Sequence, residues 1–217
     1  DWGAFRLGPS RLSAFVATLG FSRCTFGTFV ENERFETLRT CHEQAFDDFG
    51  GVPKEVLYDN MRTVVMARNA YGKGQHRFHP GLRDFAHHYG FMPRLCQPYR
   101  AKTKGKVERF IGYLRRSFFV PLVSRYHQLG ESLDRELLNL ELASWLERTA
   151  NQREHGTTGQ VPNEQLLIER EALQTLPPRY ADGRQRRSEP PRPLHSHWPV
   201  ESLQHPLSTY DALLEAV

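Results

Sequence analysis

The sequence predicts a mixed α/β fold, in which an antiparallel sheet is extended by strands that arrive through helical crossovers. A Gly-Pro-Ser turn, an apolar run and a following run with two-residue alternation indicate an antiparallel meander over residues 4–30. Two segments with helix-spaced apolar residues, 33–49 and 80–90, then alternate with short apolar runs at 56–58 and 91–96. Because strands joined by crossover helices run parallel, the resulting five-stranded sheet is mixed and is flanked by helices.

Short turns separate the first strands of this sheet. Asp1 lies on the first strand, which ends at a turn over residues 8–10. A second strand covers residues 12–19, and Gly20 makes the next turn. A third strand covers residues 21–30, where apolar and polar side chains alternate. The meander is therefore predicted to have three antiparallel strands.

A helix and a loop flank the fourth strand. Asn32 is a suitable N-cap for the helix over residues 33–49. The fourth strand follows this helix and ends at Asp59. Residues 68–79 are polar and contain glycines, which predicts a mobile loop, and Pro80 then opens the second helix.

Further helices follow the fifth strand before the composition changes. Apolar side chains recur at helical spacing over residues 104–119, 133–149 and 162–173. Seven of the 14 prolines lie in the last 41 residues. We therefore expect three segments, namely an α/β core over residues 1–125, a C-terminal helical extension over residues 126–176, and a proline-rich, partly disordered tail over residues 177–217.

The composition excludes a membrane protein and a disulfide-rich protein. The 217 residues are 39% hydrophobic and 25% charged, and no apolar run approaches the roughly 20 residues that span a bilayer. The three cysteines are far apart in the sequence, which fits a reducing, cytoplasmic setting. A net charge of +4 is only a weak indication of nucleic-acid binding.

The positive charge is concentrated in one stretch. Residues 94–118 contain eight basic residues and a single acid, Glu108. Lysines in the loop that leads into the third helix could contact DNA phosphates. A solvated, lysine-rich surface loop is the alternative explanation of the same stretch.

Three acids occupy positions that suggest metal binding: Asp1 on the first strand, Asp59 after the fourth, and Glu108 on the third helix. If the first and fourth strands are neighbours, Asp1 and Asp59 stand side by side, and the helix that carries Glu108 can pack across them. Converging carboxylates repel one another unless cations intervene, and Mg²⁺ prefers such oxygen ligands. Two Mg²⁺ ions can activate a hydroxyl nucleophile and stabilise the leaving oxygen in phosphoryl transfer.

Each acid taken singly also has a structural explanation. Asp59 and Asn60 could cap a turn or a helix. Glu108 could pair with Lys104 one helical turn earlier, and Asp1 could belong to a frayed end. Only the combination of the three acids is specific.

Short motifs around these acids resemble those of DDE transposases and retroviral-type integrases. The sequence Lys-Gly-Lys-Val-Glu-Arg at residues 104–109 is similar to their third-acid motif, Tyr-Asp-Asn at 58–60 to the second, and Asp-Trp-Gly at 1–3 to the first. Residues 145–164 are similar to the stretch that closes these cores, through Asn151, Arg153, His155, Gly156, Pro162 and Glu164. Within the family, the chain resembles the IstA-type transposases of insertion sequences.

The resemblance implies a ribonuclease-H-like fold and a DNA transposase core that cleaves and transfers DNA strands by two-metal phosphoryl transfer. It makes Asp1, Asp59 and Glu108 the catalytic residues and the ligands of two Mg²⁺ ions, for which Mn²⁺ could substitute. The residues that it assigns to positioning DNA are Asn60, Arg100, Lys102, Lys104, Lys106 and Arg109.

The resemblance also implies partners and a location. The partners would be double-stranded DNA (transposon ends and target), further copies of the chain assembled on that DNA, and an AAA+ ATPase helper. No membrane is involved, and the location would be the bacterial cytoplasm, with nucleoid association through DNA. Two other functions stay open: a degenerate or truncated fragment that binds DNA and partner subunits without catalysis, and a metal-dependent nuclease that does not join its products.

Overall fold

The computed structural model describes residues 1–96 and 101–180, with the side chains of residues 101–104 left out. Asp1–Tyr180 forms one compact unit, and most of the predicted proline-rich tail, residues 181–217, lies outside the described residues. The first elements are β1 (Trp2–Leu7), β2 (Ser10–Thr18), β3 (Thr25–Val30), α1 (Phe35–Phe49), β4 (Glu55–Tyr58), β5 (Val65–Ala67), β6 (Arg77–Phe78), α2 (Pro80–Tyr89) and β7 (Met92–Leu95). The later helices are α3 (Ala101–Leu114), α4 (Val120–Leu129), α5 (Arg135–Trp145) and α6 (Pro162–Glu169).

Strands β1, β2 and β3 form the antiparallel meander that the sequence predicts. The third strand begins at Thr25 rather than at residue 21, because Glu169 ties the preceding residues into a turn. The Glu169 carboxylate accepts hydrogen bonds from the backbone N–H of Phe21 at 3.2 Å and of Ser22 at 2.7 Å. A residue from the last described helix therefore shapes a turn in the first sheet.

The predicted five-stranded sheet is divided in the structure. Strand β4 pairs in parallel with β7, and among the described residues no hydrogen-bonded ladder joins β1 to β4. A cavity of about 410 Å³ lies where the two parts meet, lined by Asp1, residues 15–20 and residues 55–59. The fold is mixed α/β as predicted, but the single five-stranded sheet is corrected to a three-stranded antiparallel sheet and a two-stranded parallel one.

Part of the predicted mobile loop forms a hairpin. Strands β5 and β6 pair in antiparallel fashion, so residues 77 and 78 belong to a strand. Asn69 begins the turn with a left-handed backbone (φ 52°), and its Oδ1 accepts a hydrogen bond from the Gly74 N–H at 2.9 Å. Asn tolerates this conformation better than other non-glycine residues do.

The meander is buried on both faces because alternate residues of β2 point into opposite helical layers. Leu12, Ala14 and Val16 pack in one hydrophobic cluster with side chains from α3, α4 and α5. Phe15, between them in sequence, packs in the other cluster with side chains from α1 and α2. The sheet therefore lies between two layers of helices.

Helices α1 and α2 lie close to their predicted positions. Helix α1 begins at Phe35, two residues later than predicted, because Asn32 makes a local turn instead of an N-cap. Its Oδ1 accepts hydrogen bonds from the Arg34 N–H at 3.1 Å and from the Thr37 hydroxyl at 2.6 Å. Helix α2 begins at Pro80, as the sequence predicts.

The third helix is longer than predicted. Helix α3 continues through a π-helical turn (Arg115–Phe119) into α4, so the helical path extends ten residues past the predicted end. The Val120 N–H donates to the carbonyl of Arg115, five residues earlier. This wider turn directly precedes Pro121, which has no N–H to donate, and the helix continues past the proline. The predicted segment boundary at residue 125 falls inside α4, and the three-segment division remains a prediction.

Helix α5 and the π-helical turn after it (Leu146–Ala150) cover the outer edge of β3. The Asn139 side chain accepts from the Phe29 N–H at 2.7 Å and donates to the Phe29 carbonyl at 3.0 Å. Asn151 makes the same two hydrogen bonds with Thr25, at 3.0 Å and 2.9 Å. The two amides therefore satisfy backbone groups that a neighbouring strand would otherwise pair. Within the part of the chain that the structure describes, no helix is long and apolar enough to cross a membrane.

Candidate active site

Asp1 is held by its backbone at the start of β1. Its nitrogen donates to the Val16 carbonyl at 2.8 Å, and its own carbonyl accepts from the Val16 N–H at 2.9 Å. The Asp1 side chain accepts a hydrogen bond from the N–H of Trp2 at 2.9 Å through Oδ1. The first predicted acid therefore continues the β1–β2 ladder, and its half-buried carboxylate has one identified backbone donor.

Asp59 follows β4 directly, and the residues around it are anchored. The Tyr58 carbonyl accepts from the Cys96 N–H at 2.9 Å, which extends the parallel pairing of β4 with β7. The Asp59 carbonyl accepts from the Met61 N–H at 2.9 Å and starts a turn. The second predicted acid thus stands at the carboxyl end of a parallel strand, a common position for ligand-binding residues in α/β folds.

Asp1 and Asp59 line the same cavity, the one of about 410 Å³ between the two sheets, which we call the acidic cleft. Helix α3 borders this cleft through Lys106 and Val107. The other walls are mainly apolar side chains of the core, including Phe15, Ala45, Phe46, Phe49 and Val56. Two acids that have 57 residues between them in the sequence are therefore brought to one site.

The third predicted acid does not line this cleft. Glu108 is the residue after Val107 on α3, and its side chain is exposed. Among the residues that the structure describes, no three His, Cys, Asp or Glu side chains are grouped so that they could hold a metal ion. The carboxylates of Asp1 and Asp59 have the hard oxygen donors that a divalent cation such as Mg²⁺ prefers. The cleft thus fits such a cation through two of the three predicted ligands.

The predicted DNA-positioning residues are found in two places. Asn60 is exposed beside the acidic cleft, while Lys106 and Arg109 are exposed on α3. Arg100 and the side chains of Lys102 and Lys104 lie outside the described residues. The structure therefore gives side-chain positions for three of the six residues.

A buried polar pair that the sequence did not indicate lies at the back of the acidic cleft. The His42 Nδ1 donates to the Leu38 carbonyl at 2.7 Å, and its Nε2 accepts from the Tyr58 hydroxyl at 3.0 Å. Burial lowers the pKa of His42 to about 4 and raises the pKa of Tyr58. His42 is therefore neutral at physiological pH, and its hydrogen bond holds the residue next to Asp59. His42 falls on the apolar stripe of α1, so periodicity alone presents it as an ordinary core position.

A second cavity, of about 300 Å³, adjoins the acidic cleft, and we call it the basic pocket. Thr18, Arg23 and Lys106 line both cavities. The cationic and imidazole side chains of the basic pocket are Arg23, Lys106, Arg109, Arg153 and His155. Partial desolvation of its amino group lowers the pKa of Lys106 even though most of the side chain is exposed, and the charges of Arg23 and Arg109 lower it further. The sequence assigned Lys106 and Arg109 to DNA and placed Arg153 and His155 in the stretch that closes such cores, while Arg23 carried no sequence signal.

Residues 1–101, which contain strands β1 to β7 and two of the predicted acids, match the family model of the integrase core domain. A protein described as the transposase of insertion sequence element IS5376 from Geobacillus stearothermophilus is 43% identical over 167 residues. This chain carries the integrase core of the DDE transposase and integrase family. The transposase for insertion sequence element IS21 from Pseudomonas aeruginosa is 35% identical to it over 181 residues.

The integrase core described here corresponds to part of those relatives. The two alignments cover 77% and 82% of this chain but 38% and 44% of the respective relatives. The chain therefore spans less than half the length of these two transposases.

Solved structures of retroviral integrases share the fold of this integrase core. The HTLV-2 integrase catalytic core domain in complex with magnesium superimposes with a TM-score of 0.53 at 17% identity, covering 76% of this chain and 91% of that one. A chain of the simian T-cell lymphotropic virus intasome has a TM-score of 0.58 at 16% identity, covering 84% and 57%. These similarities support the mixed, ribonuclease-H-like α/β fold that the sequence motifs implied.

Proposed function

We propose that this integrase core is the catalytic part of a DNA transposase, which cleaves DNA at the ends of an insertion sequence and joins the freed ends to target DNA. The observation that carries the proposal is the meeting of Asp1 and Asp59 in one cleft bordered by α3. In the joining step, the 3′ oxygen of the cut end bonds to a target phosphorus. The target's own 3′ oxygen leaves, and the proton of the attacking hydroxyl passes to solvent.

The metal requirement forms part of the same proposal. Asp1 and Asp59 would hold a divalent cation, and Glu108, the neighbour of a residue that lines the cleft, is the proposed third ligand. We propose two Mg²⁺ ions, with Mn²⁺ able to substitute. When bound, they would lower the charge on the reacting phosphate and favour ionisation of the attacking hydroxyl.

The remaining side chains of the site bind and orient DNA in this proposal. Asn60 at the cleft and Lys106 and Arg109 on α3 present donors to the sugar-phosphate backbone. Arg100, Lys102 and Lys104 precede Lys106 in the sequence and are the other proposed DNA-positioning residues. The Tyr58–His42 hydrogen bond would restrict the direction in which the Asp59 carboxylate points.

The larger assembly is a proposal from the family resemblance. The active form would be several copies of the chain on double-stranded DNA, assisted by an AAA+ ATPase. Its location would be the bacterial cytoplasm, with nucleoid association through DNA. The relatives' names, as transposases of insertion sequences, support the DNA substrate.

A strand-transfer assay tests the proposed function. Protein from the full reading frame is incubated with labelled duplex carrying an insertion-sequence end, a target plasmid, and Mg²⁺, Mn²⁺ or EDTA. We expect joined products from the wild type with either metal and none with Glu108→Gln. Glu131→Gln is the matched control, because Glu131 is exposed and lies outside the residues that line the cleft.

The assay also separates the alternatives. Cut products without joining, in the presence of the helper ATPase, would indicate a nuclease. DNA binding by both proteins with no chemistry would indicate a degenerate DNA-binding fragment. Full joining by Glu108→Gln would remove Glu108 from the proposed metal site.

A further inference from the structure

The basic pocket has the size and charge of an anion-binding site. Its volume of about 300 Å³ is enclosed by the end of β2, the start of β3, helix α3 and the loop that follows the second π-helical turn. Four cationic side chains line it together with one imidazole, and among its described lining residues there is no acidic side chain. Grouped cations repel one another, so this arrangement is stabilised when an anion occupies the pocket.

Arg23 is the most constrained of these cations. Its backbone adopts the left-handed conformation, with φ 65°, which is strained for a residue with a Cβ. Its Nη1 is buried and has no hydrogen-bond partner among the described residues. A buried guanidinium nitrogen without an acceptor is costly, and an anion in the pocket would supply that acceptor.

His155 also presents a hydrogen-bond donor. Its Nδ1 accepts from the Thr157 N–H at 3.3 Å, so the neutral ring carries its proton on Nε2. Burial lowers the pKa of His155, and the charges of Arg153, Arg23 and Arg109 lower it further. The imidazole is therefore a neutral hydrogen-bond donor among cations. Its Nε2–H can donate to an oxygen of a singly charged anion.

Contacts with α3 hold the side chains of Arg153 and Arg109 in position. The Arg153 guanidinium stacks on the Tyr113 ring with its Cζ 3.7 Å from the ring centroid, and stacking leaves the edge donors of the guanidinium free for an anion. The Arg109 Nε donates to the Gly105 carbonyl at 2.7 Å, so its terminal nitrogens keep their donors. The nitrogens of a guanidinium form a planar fork of donors that can bind two oxygens of one phosphate.

We propose that the basic pocket binds a phosphodiester of the DNA strand whose reacting phosphate occupies the acidic cleft. This inference rests on the proposed function, because the cleft and the pocket share Thr18, Arg23 and Lys106 and so form one continuous path for a strand. The pocket holds the strand by its backbone, without reading bases. We therefore assign DNA-positioning roles to Arg23, Arg153 and His155.

DNA binding as a function of salt tests this site. Fluorescence anisotropy with labelled duplex in EDTA, between 50 and 200 mM salt, gives the affinity and its salt slope without any chemistry. Arg153→Gln is expected to weaken binding about tenfold and to reduce the slope by about one. Arg153→Lys keeps the charge but loses the fork, so it is expected to keep the slope and bind more weakly.

Arg83→Gln is the matched control, because Arg83 is exposed on α2 and lines neither cavity. It removes the same charge and is expected to leave the slope unchanged. An unchanged slope in Arg153→Gln, or an equal decrease in Arg83→Gln, would overturn the proposal.

Inorganic phosphate distinguishes a DNA phosphate from a free anion. Thermal unfolding with phosphate or chloride at matched ionic strength is expected to show stabilisation by phosphate in the wild type and not in Arg153→Gln. Phosphate stabilisation combined with an unchanged DNA slope would assign the pocket to a free anion and overturn the DNA assignment. Absence of joining by the wild type would contradict only the proposed function, while joining with no effect of Arg153→Gln on binding would contradict only this inference.

Discussion

The acidic cleft and the basic pocket adjoin one another, but they are built in different ways. The acids of the cleft stand at the start of β1 and the end of β4, and the hydrophobic core lies directly behind them. The cations of the pocket stand on a helix surface, in a turn, and in the loop after residue 150. Strand ends backed by a core position ligands rigidly, as metal binding requires. The cations of the pocket are positioned instead by contacts between separate segments, such as that of Arg153 with Tyr113.

Replacing an acid of the acidic cleft should have the largest effect, and that effect should not extend to DNA binding by the basic pocket. Asp59→Asn removes a proposed cation ligand without changing the basic pocket. We expect strand transfer to fall about a thousandfold or more, because losing several kcal/mol of transition-state stabilisation has that effect at about 1.4 kcal/mol per tenfold. DNA affinity in EDTA should stay within about twofold, because charge-assisted contacts to the backbone are retained. A parallel loss of affinity would show that the two regions do not act separately.

The low pKa of His42, at the back of the acidic cleft, predicts that the folded protein loses stability in acid. Burial lowers the folded-state pKa of His42 from 6.5 to about 4, so between these values the unfolded chain binds more protons and stability falls as the pH falls. The full effect is about 3 kcal/mol, from about 1.4 kcal/mol for each pKa unit. Urea unfolding from pH 7 to 4.5 should show most of this loss in the wild type and a smaller one in His42→Gln.

His87→Gln is the control for this prediction, because His87 is exposed on α2. It should follow the wild type across the whole pH range. If His42→Gln does not fold, NMR titration of the wild-type imidazole provides the check. Protonation of His42 near pH 6.5 would contradict the assignment.

Asn139 and Asn151 both cover the edge of β3, and replacing each tests whether the loop after residue 150 supports DNA binding at the basic pocket. Asn151→Ala leaves the N–H and carbonyl of Thr25 unpaired, and Asn139→Ala does the same at Phe29. Each should lower the free energy of unfolding by about 2–3 kcal/mol, since an unsatisfied buried group costs about 1–3 kcal/mol. Only Asn151→Ala should also weaken DNA binding, because Asn151 begins the loop that carries Arg153 and His155. Equal DNA affinity in both variants would contradict this difference.

The smallest expected effect concerns the contact between β1 and α3. A Cβ added at Gly3 would lie 2.7 Å from Ile111 Cγ2, so Gly3→Ala should push the strand that carries Asp1 away from the helix that carries Glu108. We expect a loss of about 1–2 kcal/mol in the free energy of unfolding, typical of overpacking, and a measurable decrease in strand transfer.

Gly105→Ala is the control for the strand–helix contact, because a Cβ at this position of α3 meets no atom within 4 Å. It should stabilise the helix by about 0.5–1 kcal/mol. Destabilisation by Gly105→Ala, or normal activity and stability in Gly3→Ala, would show that packing at this point does not set the relation between β1 and α3.

Local patterns in the sequence predicted most elements correctly. The two-residue alternation of β3, the helical stripes, Pro80 at the start of α2 and the strand before Asp59 all follow from short-range backbone geometry. The predicted acids were singled out because their residue types and motifs are local features. Whether Glu108 joins Asp1 and Asp59 as a metal ligand remains a prediction.

Only the tertiary structure decided how these pieces meet. The division of the sheet, the π-helical turn before Pro121, the His42–Tyr58 hydrogen bond and the asparagines on β3 depend on packing between distant segments. Arg23 and Arg153 are 130 residues apart and show no local signal in common. Periodicity reports which face of an element is buried, but not which neighbour covers that face. The sequence by itself therefore determined most of the strands and helices and the candidate acids, while the tertiary structure decided the β5–β6 hairpin, the pairing of the elements and the pocket beside them.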